Sequence, residues 1–209
     1  MPNWCENNLT LGVPNKEEAD KIVAVLESSD DGVGLLNHLM PEPKEEYTDG
    51  DDAADKEKVF PDWYNWRVNH WGTKWEVDVQ HWSKDDNGDG SYTFNMNFDS
   101  AWSPPIGVYE EVFKKHNQGW TVYATYIEGG MDFMGYFEDG QDYSYQAATR
   151  TTTDAPDWLV DDYSWHYDAQ EEYEQEDDCD LVVKGEMTHD AFIKKWGVEV
   201  YNDWSDLMT

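Results

Sequence analysis

Positive charge is the property that this chain has least of. Its 209 residues include 14 lysines and arginines against 46 aspartates and glutamates, which gives a formal net charge of -32 at pH 7. A molecule with this imbalance carries a negative field over most of its surface, so it repels nucleic acid and membrane surfaces and attracts basic proteins. The composition therefore predicts a basic protein as the partner, with no direct nucleic-acid or membrane binding.

Arginine is scarcer still, since only Arg67 and Arg150 occur. Proteins adapted to high salt usually favour arginine over lysine, so adaptation to salt is the less favoured explanation of the charge. Solubility alone is another explanation. Because self-repulsion on this scale lowers stability, we favour the hypothesis that the negative charge has a use.

Cysteine, long apolar runs and a leader segment are lacking as well. Cys5 and Cys179 fit neither a disulfide framework nor the spacing of metal ligands. No apolar run approaches the roughly 20 residues that span a membrane. The first residues have neither the basic nor the apolar segment of a signal peptide. These absences predict a protein of the reducing cytoplasm without a metal or a cofactor.

Motifs of catalysis are also missing. The chain has no glycine-rich phosphate loop and no nucleophile elbow. Pairs of carboxylates suited to acid–base chemistry occur in any chain this acidic, so their abundance is no evidence of an enzyme. Asp85-x-Asn87-x-Asp89-Gly90 resembles the opening of a calcium loop, but Met96 stands at its twelfth position, where coordination needs a glutamate. We expect a plain turn there and no catalytic residue.

The strongest periodic signal in the chain is a β-hairpin. Residues 75–82 and 92–98 alternate in polarity, and an Asn-Gly turn within residues 85–90 joins them. In the first strand, the alternation predicts that four side chains lie on the same side, those of Trp75, Val77, Val79 and His81. In the second strand, it predicts that four side chains face inward, those of Tyr92, Phe94, Met96 and Phe98.

The elements around the hairpin predict the fold class. A strand over residues 7–13 precedes a helix over residues 16–28 that Asn15 caps. A second helix follows Ser103 as its N-cap, and a strand covers residues 120–127. The order strand, helix, strand, strand, helix, strand predicts an α+β fold, a ferredoxin-like split βαβ sheet with two helices on one face. A second hairpin is predicted beyond residue 130.

The chain divides into two regions by composition. A domain over residues 1–150 contains the sheet, with an insertion at about residues 41–72. The insertion is predicted to be an acidic loop and a short helix that Asp62 caps, with Trp63, Trp66 and His70 on one face. An acidic, aromatic-rich extension over residues 151–209 is predicted to pack on the domain and to end in a helix that Thr188 caps. A disordered tail is the alternative for the extension, but its dense tryptophans and tyrosines favour a folded surface.

From Asp154 to Asp180 the chain contains no lysine or arginine. Carboxylates held on a folded aromatic framework can imitate the phosphate spacing of DNA. The predicted partner-binding residues are Asp157, Asp161, Asp162, Asp168, Glu171, Glu172, Glu174, Glu176, Asp177 and Asp178. A second acidic patch is predicted at Asp49, Asp51, Asp52 and Asp55.

Two tryptophan-rich blocks flank the first hairpin, at residues 69–75 and 101–105. Aromatic rings with a lysine and two hydroxyls can hold a ligand, whereas the alternative is that the same residues pack the base of the sheet. The possible pocket residues are Trp71, Thr73, Lys74, Trp75, Trp102 and Ser103.

Several of these motifs resemble the YubB ferredoxin-like family, a group of proteins from phages, plasmids and bacterial genomes. The resemblance rests on residues 1–7 at the start, on Trp66-Arg67 with residues 69–75, and on Phe98 with residues 101–105. Phe133-Met134-Gly135 is similar to the Phe-x-Gly of the family. The match covers roughly residues 1–146 and implies the ferredoxin-like fold and a mobile-element origin, without implying a catalytic residue.

Charge and resemblance together give two functional hypotheses, beside the third possibility of a structural or housekeeping phage protein that merely carries a negative surface. The first is a non-enzymatic phage or plasmid protein, in the host cytoplasm, that inhibits a nucleic-acid-binding defence enzyme as an acidic DNA mimic. The second is a protein that binds or degrades a small nucleotide signal in the tryptophan-lined pocket, with a role for Lys74.

Overall fold

The structure, a computed structural model, describes residues 3–28, 34–43, 63–149 and 152–208. The chain divides into two compact units, one of residues 1–148 and 153–155, the other of residues 149–152 and 156–209. Among the described residues, no helix has the length and apolar character needed to cross a membrane.

The first unit is built on one antiparallel sheet. Its strands in the described ranges are β1 (Trp4–Val13), β2 (Val79–Asp86), β3 (Tyr92–Ala101), β4 (Thr121–Glu128), β5 (Phe133–Glu138) and β6 (Gln141–Gln146). Their spatial order is β2-β3-β1-β4-β5-β6, so the N-terminal strand lies near the centre, between β3 and β4. The predicted second hairpin forms as β5 and β6.

Helices join these strands. They are α1 (Lys16–Leu26), α2 (Leu35–Leu39), α3 (Trp63–His70) and α4 (Ile106–Phe113), and a short 3-10 helix covers His116–Gln118. The predicted cap of α1 is confirmed, because the Glu18 N–H donates to the Asn15 side-chain oxygen over 3.0 Å. With helices and an antiparallel sheet in one unit, the α+β class predicted from the sequence is confirmed.

The hydrophobic core lies on one face of the sheet. Alternate residues of β1 and β3, such as Leu9 and Met96, point into it and are at most 2% exposed. Ile22 of α1 and Val112 of α4 belong to the same cluster. Both helices therefore cover the same face of the sheet, and the predicted inward direction of the β3 side chains is confirmed.

The first strand of the predicted hairpin is shorter than the alternation suggests. β2 begins at Val79 rather than at Trp75, and its pairing with β3 is irregular between Val79 and His81. An extra residue in a strand turns the side chains that follow it to the other face. The prediction that His81 shares a side with Val79 was therefore wrong. Trp82 lies on the core side, with its ring 6.4 Å from that of Phe94.

The start of α4 also differs from the prediction. Ser103 does not cap this helix, which begins after Pro105 without a side-chain hydrogen bond at its N-terminus. The Ser103 hydroxyl donates instead to the carbonyl oxygen of Gly72. Because a proline disfavours helical backbone in the residue before it, the two prolines delay the helix beyond the reach of that hydroxyl.

The predicted insertion is described only in part. Residues 44–62, and with them the acidic loop and the proposed cap Asp62, lie outside the described residues. The predicted short helix is present as α3, but only Trp66 of its aromatic face is buried, whereas Trp63 is 43% exposed. His70 stacks on Trp66 with the ring centroids 4.6 Å apart.

The second unit is helical where it is described. It contains α5 (Asp157–Asp162), α6 (Ser164–Val183), α7 (His189–Trp196) and α8 (Val198–Trp204). The predicted cap of α7 is confirmed, since the Ala191 N–H donates to the Thr188 hydroxyl over 3.2 Å. A small core joins Cys179 and Val182 of α6 to Phe192 of α7.

Candidate functional site

The two tryptophan-rich blocks meet in the first unit. The Gly107 N–H donates to the Trp71 carbonyl oxygen over 3.1 Å, and a side chain on Gly107 would lie 1.7 Å from the His70 carbonyl oxygen. The Thr73 hydroxyl donates to the Ala101 carbonyl oxygen over 2.9 Å. Blocks that are some 30 residues apart in sequence are thus joined by backbone contacts.

Three of the six predicted pocket residues serve packing. Trp71 has no exposed surface, and its indole N–H donates to the Met40 carbonyl oxygen over 2.9 Å. Thr73 is 1% exposed, and the Thr73 and Ser103 hydroxyls are both used in hydrogen bonds to the backbone. These groups form the floor of the junction and have no free polar atom to offer a ligand.

The other three predicted pocket residues form a cluster with the Lys74 ammonium at its centre. The Lys74 Nζ lies 4.5 Å from the centroid of the Trp75 ring, 5.2 Å from that of Trp102 and 5.5 Å from that of Tyr64. An ammonium over an aromatic face gains about 0.5–1 kcal/mol when exposed and about 2 kcal/mol when desolvated. We call Tyr64, Lys74, Trp75 and Trp102 the aromatic box.

Trp4 extends the aromatic box at the start of β1. Its ring centroid lies 6.0 Å from that of Trp75, and 49% of its surface is exposed. β1 brings it there because its Cα pairs with that of Ala101, one residue before Trp102. Sequence analysis missed Trp4 and Tyr64 as site residues, although Trp4 stands in the N-terminal motif.

The backbone on both sides of Lys74 is fixed. The Thr73 hydroxyl anchors one side on β3. On the other side, the Glu76 carboxylate accepts the N–H groups of Leu36 and Asn37 over 2.8 and 2.9 Å, at the N-terminus of α2. Burial raises the pKa of Glu76, although these hydrogen bonds act to lower it. The lysine is therefore held in place by its neighbours rather than by a partner of its own.

Trp102 has an unusual backbone. Its φ is 71°, in the left-handed region, where a bulky residue is an outlier. Such conformations cost of order 1–3 kcal/mol and gather at functional sites. Its N–H donates to the Asn3 carbonyl oxygen over 2.9 Å, which holds the strained turn. The indole of this residue lies 5.2 Å from the Lys74 ammonium.

Lys74 has no carboxylate partner in the part of the chain that the structure describes. Lys16 pairs with Asp20 and Lys114 with Glu111, at 2.6 and 2.8 Å, whereas Lys115 lies over a single ring, that of Trp120. Although the chain has 46 acidic residues, the described part of it places three rings and no carboxylate beside this lysine, Lys74.

The second unit carries the predicted acidic surface on α6. Glu171, Glu172, Glu176 and Asp177 are exposed, and no lysine or arginine nitrogen of the described residues lies within 4 Å of their carboxylates. Tyr173 stands among them with 70% of its surface exposed. We call Glu171, Glu172, Tyr173, Glu174, Glu176 and Asp177 the acidic ridge.

Two of the predicted partner-binding residues have partners inside the unit. Asp178 is 8% exposed, and its carboxylate accepts hydrogen bonds from Lys195 and Trp196, both over 2.8 Å. Glu174 lies 3.7 Å from the same Lys195 ammonium. We therefore leave Asp178 out of the acidic ridge, whereas the half-exposed Glu174 stays in it.

The remaining predicted partner residues lie on exposed positions before the ridge. Asp157, Asp161 and Asp162 belong to α5, and Asp168 lies in the first half of α6. The predicted second patch at Asp49, Asp51, Asp52 and Asp55 lies outside the described residues.

The turn of the first hairpin uses its own acids. The Asp86 carboxylate accepts the Gly88 N–H and the Asp89 carboxylate accepts the Ser91 N–H, both over 2.9 Å. A search of the described ranges finds no group of three or more histidine, cysteine, aspartate or glutamate side chains placed to hold a metal ion.

Comparison of the chain with protein-family models, with curated proteins and with solved structures finds no match. The functional argument therefore rests on the geometry and the charge of the acidic ridge and of the aromatic box.

Proposed function

We propose that this protein binds a basic, DNA-binding protein and occupies its DNA-binding surface through the acidic ridge. The carrying observation is a set of four exposed carboxylates on α6 with no described lysine or arginine nitrogen within 4 Å, those of Glu171, Glu172, Glu176 and Asp177. The function is inhibition without catalysis, and the partner is a nucleic-acid-handling defence enzyme of the host cell.

The charge density along α6 supports mimicry of DNA. Eight acidic residues lie from Asp168 to Asp180, over about 18 Å of helix axis. That is about one negative charge per 2.3 Å of axis. When the positive charges of Lys184 and Lys195 are subtracted, it is about one per 3 Å. Duplex DNA carries one charge per about 1.7 Å of its axis and a single strand one per about 3.4 Å. The helix thus falls within the range of a nucleic acid.

The arrangement of the acids costs the helix stability. Glu172, Glu176 and Asp180 follow one another at intervals of four residues, and like charges at that spacing destabilise a helix by about 0.2–0.5 kcal/mol per pair. Only Asp180 of the three has a lysine within 4 Å in the described chain, Lys184 at 3.3 Å. Binding a cationic surface would relieve this repulsion.

Tyr173 supplies the ridge with an aromatic contact. Tyrosine, tryptophan and arginine are the residues that contribute most to protein interfaces, and an exposed tyrosine ring can pack against an arginine side chain. A basic DNA-binding groove offers such arginines. The ridge therefore combines charge for steering with one side chain for a defined contact.

We further propose that the first unit is a ferredoxin-like domain of the YubB family. Its support is the element order β1, α1, β2, β3, α4, β4 with both helices on one face, together with the motifs quoted from the sequence. A phage or plasmid origin and the host cytoplasm as the compartment follow from that proposal. A gene locus without any mobile-element neighbours would contradict the origin.

The test is capture of a partner followed by competition. The full-length protein, immobilised and exposed to nuclease-treated bacterial lysate at low salt, is expected to retain a basic protein. Added duplex DNA and 0.5 M salt, where the screening length is about 4–5 Å, should each release it. A retained protein that duplex DNA does not release would contradict mimicry.

Matched variants separate the ridge from the general charge. The variant with Glu172→Gln, Glu176→Gln and Asp177→Asn removes three charges from α6. A control with Asp78→Asn, Glu110→Gln and Glu138→Gln removes three from exposed positions of the first unit. We expect loss of capture only in the first variant. Equal loss in both would show that net charge, rather than the ridge, holds the partner.

A further inference from the structure

We infer that the aromatic box with Trp4 is a binding site for a mononucleotide, whose phosphate pairs with the Lys74 ammonium and whose base stacks on the exposed Trp4 ring. This inference rests on the first unit alone and is independent of the acidic ridge. It corrects the pocket expected from the sequence, since Trp4 and Tyr64 replace Trp71, Thr73 and Ser103.

The Lys74 ammonium is the reason to expect a negatively charged group in the ligand. It is the only charged group of the box, and no carboxylate of the described residues lies within 4 Å of it. An ammonium is a point charge that suits a phosphate oxygen. Aromatic rings on three sides restrict its motion, so a phosphate meets a cation that is already in place.

The planar half of the ligand follows from the rings. Trp4 exposes 49% of its surface and lies 6.0 Å from Trp75 at an interplanar angle of 43°. Tryptophan rings that expose a face stack nucleic-acid bases without regard to their sequence. Trp4 lies next to Trp75, and the Lys74 ammonium lies 4.5 Å from the Trp75 centroid, so one nucleotide can place its base on Trp4 and its phosphate at that ammonium.

The backbone of Trp102 is an independent sign of a built site. Its backbone is left-handed, with φ at 71°, and glycine or asparagine would adopt this conformation at a lower cost than tryptophan does. The chain instead keeps a tryptophan at this position and holds it through the Asn3 carbonyl oxygen. Packing alone does not require this choice, because Trp102 lies at the partly exposed edge of the box.

The net charge of the protein favours a single nucleotide over a nucleic-acid strand as the ligand. A chain of -32 repels every additional phosphate that lies beyond the box, within the screening length of about 8 Å in physiological salt. A mononucleotide brings one phosphate, of about −1.5 to −2 charge near neutral pH, and the lysine balances one unit of it. A strand brings many phosphates to a surface with no further cation in the box.

The experiment is a titration of the uniformly ¹⁵N-labelled full chain followed through its indole N–H resonances. Adenosine 5′-monophosphate should shift the signals of Trp4, Trp75 and Trp102, while those of the buried Trp66 and Trp71 remain as internal references. Adenosine should bind about ten-fold more weakly, and inorganic phosphate should leave the indoles unmoved.

Variants of Lys74 test whether its ammonium contacts the phosphate of the nucleotide. Lys74→Gln should lower the affinity for the nucleotide about ten-fold, and Lys74→Arg should keep it within roughly three-fold, because both cations bind phosphate. Lys115→Gln is the matched control, since the Lys115 ammonium also lies over one tryptophan ring, 5.3 Å from Trp120. It removes the same charge and should leave the affinity unchanged.

Four results would overturn the inference. They are unmoved indoles at millimolar nucleotide, equal binding of adenosine and its monophosphate, an equal loss in the Lys74 and Lys115 variants, and tighter binding of an oligonucleotide than of the mononucleotide. The dispersed signals of Trp66 and Trp71 show whether each variant is folded. Capture of a basic protein by the acidic ridge is unaffected by any of these results.

Discussion

At the scale of single residues, Gly107 decides how closely α4 approaches the segment after α3. A methyl group there would lie 1.7 Å from the His70 carbonyl oxygen and 2.8 Å from its carbonyl carbon. Both are backbone atoms and cannot swing aside as the end of a flexible side chain can. The approach is what brings the two tryptophan-rich blocks together.

We therefore predict that Gly107→Ala lowers the free energy of unfolding by about 1–3 kcal/mol, the usual cost of forcing an extra carbon into a packed contact. Chemical denaturation followed by tryptophan fluorescence measures it. Glu110→Ala, at an exposed position of the same helix, is the control and should change stability by less than about 0.5 kcal/mol. Equal effects of the two changes would refute the packing argument.

At the scale of elements, Asp178 ties α6 to α7 through its hydrogen bonds from Lys195 and Trp196. Burial acts to raise the pKa of Asp178, but these hydrogen bonds outweigh burial and leave the pKa below its usual value. The hydrogen bond to Asp178 raises the pKa of Lys195. The pair is charged at neutral pH and stabilises the helix pair there.

Replacing Asp178 with alanine removes the acceptor of the Trp196 indole N–H and leaves Lys195 with Glu174 alone, at a cost of about 1–3 kcal/mol. We expect the amide hydrogens of α7 to exchange with solvent about 5- to 100-fold faster. Asp180→Ala is the control, because Asp180 is 67% exposed and pairs with Lys184 on the surface, where such a pair contributes about 0–1 kcal/mol.

The effect of pH on this pair has a defined sign. Because the pKa of Asp178 is lowered on folding, its stabilisation is present above the ordinary aspartate value of about 3.9 and is lost as the pH falls through the lowered value. The Lys195 contribution is present below about 10.4 and is lost only as the pH rises through its raised value. Wild type and Asp178→Ala should therefore converge in strongly acidic solution, and a constant difference would contradict the assignment.

Elements with local signals were predictable from the sequence. Alternation identified β3, and the caps Asn15 and Thr188 marked the starts of α1 and α7, because each depends on neighbours within a few residues. The bulge before His81 was missed, since an extra residue in a strand leaves the alternation in the sequence intact. The burial of Asp178 depends on Lys195, 17 residues further on, and no local pattern encodes it.

The same distinction applies to the aromatic box. Lys74, Trp75 and Trp102 were predicted because they stand in two conspicuous blocks. Trp4 and Tyr64 join them only through the pairing of β1 with β3 and the placement of α3, which composition does not reveal. Trp71 and Ser103 stand in the same blocks, and only the structure shows that they are used for packing.

At the scale of the whole molecule, repulsion among the acids should govern stability. A net charge of -32 disfavours any compact state, and salt screens that repulsion. We expect the melting temperature to rise by about 3–6 °C between 0.02 and 0.5 M sodium chloride, which corresponds to about 1–2 kcal/mol for a chain of this length. Thermal unfolding recorded at each sodium chloride concentration measures this change in melting temperature. A melting temperature independent of salt would contradict the prediction.

The central position of β1 sets when the first unit can assemble during synthesis. Leu9 pairs with Met96 and with Ala124, so the first strand leaves the ribosome long before either neighbour exists. At about 5–20 residues per second, β3 follows on the order of 5 to 20 s later and β4 later still. Over that interval a strand with one apolar face remains unpaired, which makes the nascent chain a client for chaperones until roughly its first 130 residues have emerged.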